Sequence, residues 1–250
     1  MPYSTACGTP LSNFEANSNY KQVNEESVIV KFKSKKHEFS YLVWTTTPWT
    51  LTSNISAAVN KNLDYLKLKA ADGSIYYFAK ENFKYQRLDK QYKDKKQWIK
   101  DVPKLKTLEQ IFKERGGFEI LDTLKGEDMI GWRYRGPFDE LDVQNINGGY
   151  PFCNEKLKEE KISAVKCHKV IDGGKDGIGN DIVVAGEGTG IVHIATGCGA
   201  IDNKIGKKLN LVEIAPLDEE AKYIKGFDWL EGLSATKKET TDDILENLKT

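Results

Sequence analysis

From Ser27 onward the chain is built of short runs of β-branched and aromatic residues broken by turn residues, and a helical period surfaces only three times. Val28, Val30 and Phe32 alternate with Ile29, Lys31 and Lys33, and Phe39 to Trp44 forms a second such run. Leu66 to Ala70 and Ile75 to Ala79 flank Asp72-Gly73, a strong hairpin signal, so the first third is expected to be a β-meander. Further strands are expected at Glu119 to Leu124, Ala164 to Val170, Asp181 to Ala185 and Gly190 to Ala195. Apolar residues at helical spacing predict helices over Lys104 to Arg115, Ala200 to Leu209 and Thr240 to Leu248. Strands and helices do not alternate regularly, which excludes a Rossmann layout and predicts an α+β domain centred on a β-barrel with a few peripheral helices. Polar residues 1–26 read as an extended lead-in, 27–232 as the domain, and 233–250 as a helical segment leading onward.

Composition narrows function. The 250 residues carry 37 basic and 37 acidic side chains, so the broad positive field of a protein that grips a duplex unaided is missing and any nucleic-acid contact is local. Only Arg87, Arg115, Arg133 and Arg135 supply guanidinium forks. No window approaches the 18 or more apolar residues of a membrane span, and the first residues resemble no export signal, so no membrane partner and a cytoplasmic location are expected. Cys7, Cys153, Cys167 and Cys198 form no Cys-x-x-Cys pair, and neither a disulfide scaffold nor a metal site nor any cofactor is expected.

Several motifs fail on inspection. Gly186 to Gly190 lacks the Lys-Ser/Thr of a phosphate loop and is followed by an apolar strand, so it reads as a tight turn. His37-Glu38 meets Tyr41 where a zinc protease needs its second histidine, and Gly232 to Thr236 lacks the closing glycine of a nucleophile elbow.

Two segments hold more small polar groups than a barrel core requires. Trp44 to Asn54 sets five threonines around Pro48, which breaks a strand ladder, and Gly190 to Asp202 carries His193, a glycine-flanked Cys198 and a carboxylate at a helix start. Taken alone, the first could be a strand end whose threonines cap turns, Asp202 a helix cap ionised by the helix dipole, and His193 a histidine satisfied between strands.

Together the two segments resemble the signature peptides of the editing domain, or connective peptide 1, of isoleucyl-tRNA synthetase, a class I aminoacyl-tRNA synthetase. Thr46-Thr47-Pro48-Trp49 stands where the valyl and leucyl enzymes have Thr-Thr-Arg-Pro. Thr52, Thr196 and Asn203 depart from the family pattern, and residues 72–160 match it loosely. The resemblance implies hydrolysis of valine mischarged on tRNA(Ile), and of valyl-adenylate, with the remainder of the synthetase as partner. The adenylate-forming His-Ile-Gly-His and Lys-Met-Ser-Lys-Ser peptides do not occur. It further implies that Asp202 binds the substrate ammonium, that Thr45, Thr46 and Thr47 orient ester, ribose and water, and that Thr50 and His193 line the side-chain pocket, with Trp44 and Asn54 also on the substrate. Two alternatives stay open on sequence: a module that binds the tRNA acceptor end without hydrolysis, and a catalytically silent barrel.

Overall fold

The computed structural model describes residues 3–5, 7–16, 18, 27–84 and 106–249. Its strands are β1 Tyr3–Ser4, β2 Thr9–Pro10, β3 Val28–Ser34, β4 Ser40–Thr45, β5 Ser56–Val59, β6 Asp64–Ala70, β7 Ile75–Ala79, β8 Phe118–Lys125, β9 Tyr134–Arg135, β10 Val170–Asp172 and β11 Val192–Ile194. β1 and β2 pair only with each other, and the other nine form one mixed sheet in the order β10-β5-β11-β4-β7-β6-β8, with β3 joining β4 to β9. The sheet curls into a half-barrel with helices at its periphery, the expected barrel-centred α+β fold opened on one side.

The expected meander is only partly present. β3 pairs with β4, and β6 with β7, as antiparallel neighbours, yet β7 returns parallel to β4, and β5 crosses to the far side of β11. Along one edge β4 meets β7 at Ser40 and Tyr41, then β11 at Trp44, so its carboxyl end faces a strand from much later in the chain. Hydrophobic burial drives this switch: Tyr41, Val43, Ala57, Ala58, Val59, Ile191 and Ile194 are all fully buried in one core.

Two expected strands are absent. Ala164–Cys167 is a single helical turn, which four residues of mixed character cannot announce by periodicity. Around Asp181 only an isolated bridge to Lys175 forms, and the Val183 carbonyl accepts from the Asn60 side-chain amide at 3.0 Å instead of a ladder partner. Helix α1, Leu108–Glu114, begins on a capping box between Thr107 and Gln110. The first part of its expected range, residues 104–105, lies outside the described residues, as do residues 19–26 of the lead-in. Helix α2, Ala200–Leu209, has the expected bounds, and α3, Lys238–Asn247, packs with buried Thr240 and Ile244 over the turn Pro48–Ser53.

Candidate functional site

β4 and β11 run parallel, side by side, so both deliver their following residues to the same end of the sheet. β4 ends at Thr45, and the chain then turns through Thr46 and Thr47 into a 3-10 helix, Pro48–Ser53, with Pro48 in the first turn where a missing N–H is harmless. β11 ends at Ile194 and passes through Gly197-Cys198-Gly199 into α2. Two distant segments thus become neighbours at the carboxyl ends of two adjacent parallel strands.

The hydroxyls there form a continuous set. The Thr47 N–H donates to Thr45 Oγ1 at 3.1 Å, and Thr47 Oγ1 lies 3.3 Å from Thr45 Oγ1 and 3.5 Å from Thr50 Oγ1. Thr50 donates its only hydroxyl proton to the Thr47 carbonyl at 2.8 Å. His193 Nε2, 2.9 Å from Thr50 Oγ1, is therefore the protonated nitrogen and donates across. Its other nitrogen, Nδ1, is buried with no partner among the described residues. Thr46 is exposed, and no protein group among the described residues bonds its hydroxyl.

Burial pushes the His193 imidazole down to about 4, so it is neutral at physiological pH. An unfolded histidine titrates near 6.5, so between pH 6.5 and 4 the unfolded chain holds a proton that the native chain refuses. Stability is full above that window and is expected to fall by about 3 kcal/mol as pH drops through it. Denaturant midpoints measured from pH 7 to 4 check this: His193→Gln should flatten the slope, and an unchanged slope would assign the acid sensitivity elsewhere.

Asp202 departs from the sequence expectation. It sits in the first turn of α2 but caps no amide there; its Oδ2 accepts the Ala195 N–H at 2.9 Å, tying α2 back to the end of β11. Burial raises the carboxyl above its ordinary value, opposed by the Ala195 bond. Among the described residues the Ala195 N–H is the one donor to this half-buried carboxyl. Its charge also reaches Cys198, whose thiol is pushed up to about 12, first by burial, which leaves that cysteine a poor nucleophile.

Asn54 is fully buried. Its Oδ1 accepts from the Tyr134 hydroxyl at 2.7 Å and its Nδ2 donates to the Ser56 carbonyl at 3.1 Å, so it supports the site from beneath and offers no surface to a ligand. Trp44 is half-buried, and a Cβ on Gly188 would lie 2.4 Å from its ring, so one indole face is seated on that glycine turn.

Sequence reasoning missed the residues that hold the turn from below. Gln144 Nε2 donates to the Thr52 carbonyl at 2.7 Å, the Tyr223 hydroxyl to the Trp49 carbonyl at 2.9 Å, and His168 Nε2 to the Asn54 carbonyl at 3.0 Å. His168 is itself stacked on Tyr134, with Nδ1 3.0 Å from Asp139. No local pattern marks them, because each bonds a backbone carbonyl far away in sequence.

Over 254 aligned residues the chain is 30% identical to isoleucine–tRNA ligase of Tetrahymena thermophila, covering 100% of this chain and 19% of that protein. The chain is related to isoleucine–tRNA ligases over its whole length. The enzyme of Clostridium tetani is 32% identical over 96% of the chain, and the cytoplasmic enzyme of Mus musculus 31% identical over 87%. The chain spans between 14% and 19% of the length of these relatives. Among solved structures, the P. falciparum cytosolic leucyl-tRNA synthetase editing domain aligns over 86% of the chain and 79% of its own, with a TM-score of 0.43 and 14% identity. No protein-family model matches. Among the described residues no helix is long and apolar enough to cross a membrane.

Proposed function

We propose that this chain, spanning residues 27–232 with a lead-in and a trailing helical segment, is an editing module that hydrolyses valine from mischarged tRNA(Ile). The observation that carries this reading is the threonine set joined to His193 beside the desolvated Asp202, at one end of a sheet whose sequence is related to isoleucine–tRNA ligases. One methylene in a hydrophobic pocket discriminates by only about 1–3 kcal/mol, isoleucine against valine being the well-known instance, so a site that admits only the smaller side chain is the remedy.

The ester of valine with the terminal ribose would seat its ammonium on Asp202 and its carbonyl among Thr45, Thr46 and Thr47. Water adds to the carbonyl, the bond to the ribose oxygen breaks, and the proton of the water ends on that ribose hydroxyl. His193 already donates to Thr50, and its lone-pair nitrogen is buried, so it serves as wall and not as base. Proton traffic falls to neutral hydroxyls and the vicinal ribose hydroxyl, while the site supplies orientation and donors for the oxyanion. The partners on this reading are the tRNA acceptor end and the remainder of the synthetase.

Thr50 and His193 are each more than nine-tenths buried and bonded to each other, which makes a stiff pocket wall. His193→Ala or Thr50→Ala is expected to admit isoleucine, since the added methylene is worth about 0.8 kcal/mol, roughly fourfold. Incubation with valyl-tRNA and isoleucyl-tRNA tests both statements: wild type should clear only the valyl ester, and the variants both. A folded wild-type chain that leaves the valyl ester intact would reduce the function to acceptor-end binding.

A further inference from the structure

At the opposite end of β4 from the threonine site, a cleft of about 650 Å³ opens between the β3–β4 turn and the β6–β7 turn. Lys31, Lys33, Lys35, Lys36 and Arg135 line it, against only Glu38 and Asp72, in a chain with no net charge. Lys33 and Arg135 are direct cross-strand partners of β3 and β9, and both are exposed. Like charges directly opposite one another destabilise a sheet, so folding alone gives no reason to keep this pair. None of the five cations has a carboxylate within ion-pair distance among the described residues: Lys31 lies over the Tyr76 ring, and Lys35 donates to the Val165 carbonyl. The Lys35 ammonium is pushed below its ordinary range, first by burial and then, against the pull of Asp139, by Arg133 and Arg135. Positive charge is crowded here and only partly offset by Glu38, Asp72 and Asp139.

We propose that this cleft binds the phosphate backbone of RNA, as a second contact separate from the ester site. The inference deepens the tRNA reading above and rests on it for the identity of the polyanion. Ser40 and Thr45 are five residues apart on β4, about 17 Å at the usual strand rise. That span is a few nucleotides of RNA, so the cleft takes backbone phosphates a few nucleotides back from an ester held at the threonines. A point-charge lysine cluster with one arginine suits backbone contact and not base readout, so binding is insensitive to sequence and sensitive to salt.

The test compares wild type with the double variant Lys33→Glu, Lys36→Glu, using an RNA hairpin with a single-stranded 3′ overhang. Fluorescence anisotropy across a salt series should show wild-type affinity falling steeply with salt. The variant should bind at least about tenfold more weakly at low salt, with its log–log slope reduced by about two. Its melting temperature should equal or exceed the wild-type value, since a carboxylate in place of the Lys33 ammonium would face Arg135 favourably, so weaker binding cannot be ascribed to unfolding. Hydrolysis of valyl-adenosine should be unchanged, and that of the valyl-charged hairpin reduced. Unaltered affinity and slope would overturn the proposal, as would polyglutamate competing as well as RNA of equal charge. A wild-type chain that binds the hairpin with the expected slope yet leaves both valyl esters intact would sustain this site and remove the hydrolytic reading alone.

Discussion

Asp202→Ala is expected to lower deacylation of valyl-tRNA by ten- to a hundredfold while leaving the chain folded. The carboxylate is half-buried and raised by desolvation, with the Ala195 N–H as its one donor among the described residues, so its charge is poorly compensated until a cation arrives. A substrate ammonium would supply that cation, and a charge-assisted hydrogen bond is worth about 1.5–3 kcal/mol. The alanine variant also leaves the Ala195 N–H without its partner, for which the net cost of one ordinary hydrogen bond, about 0.5–1.5 kcal/mol, is expected. Asp202→Asn separates the two effects: it keeps an acceptor for Ala195 and loses the charge, so it should match wild type in thermal stability and fall between wild type and alanine in rate. An ester with an acetylated amino group provides the deciding measurement. Wild type should discriminate strongly against it and the alanine variant scarcely; equal discrimination by both would confine Asp202 to tying α2 to β11.

Among single substitutions, Gly197→Ala is expected to lower stability markedly. A Cβ at Gly197 would lie 2.1 Å from the Ile214 carbonyl oxygen and 2.4 Å from its carbon, and both are backbone atoms that cannot rotate away. Alanine normally stabilises through the unfolded chain by about 0.4–1 kcal/mol, but forcing an atom into packed backbone costs about 1–3 kcal/mol or more. The melting temperature should drop by several degrees, at about 2–4 °C per kcal/mol for a chain of this size. Gly199→Ala is the control two residues away, where the added Cβ meets only the Asp202 side chain at 3.7 Å, an ordinary contact. Calorimetry on the two variants should show a clear drop for the first and little change for the second; equal melting temperatures would mean that the 197–199 loop can move away from Ile214.

Much of the site was legible because its two peptides are contiguous. The kink at Pro48, the clustered threonines and Asp202 in the first turn of α2 all stand within short windows, and short windows are what periodicity and turn chemistry describe. The hairpin at Asp72-Gly73 and helix α2 were readable for the same reason. Ala164–Cys167 and Asp181 to Ala185 were not, since their conformations answer to partners elsewhere: Val183, for one, gives its carbonyl to Asn60, 123 residues earlier.

What the sequence determined by itself is therefore local: the strand-rich α+β class, the break after β4, and the residue types at the ends of β4 and β11. The tertiary structure alone decided that those two ends lie side by side, that Thr50 meets His193 across 143 residues, and that Asp202 turns back to Ala195 instead of capping its helix. It also decided that Asn54 is a support and not a contact, and that Lys33 faces Arg135. The reason is physical. Backbone preferences and turn residues act over a few positions, whereas strand order, desolvation of a carboxylate and the tautomer of a buried imidazole depend on groups that burial of the shared apolar core brings together.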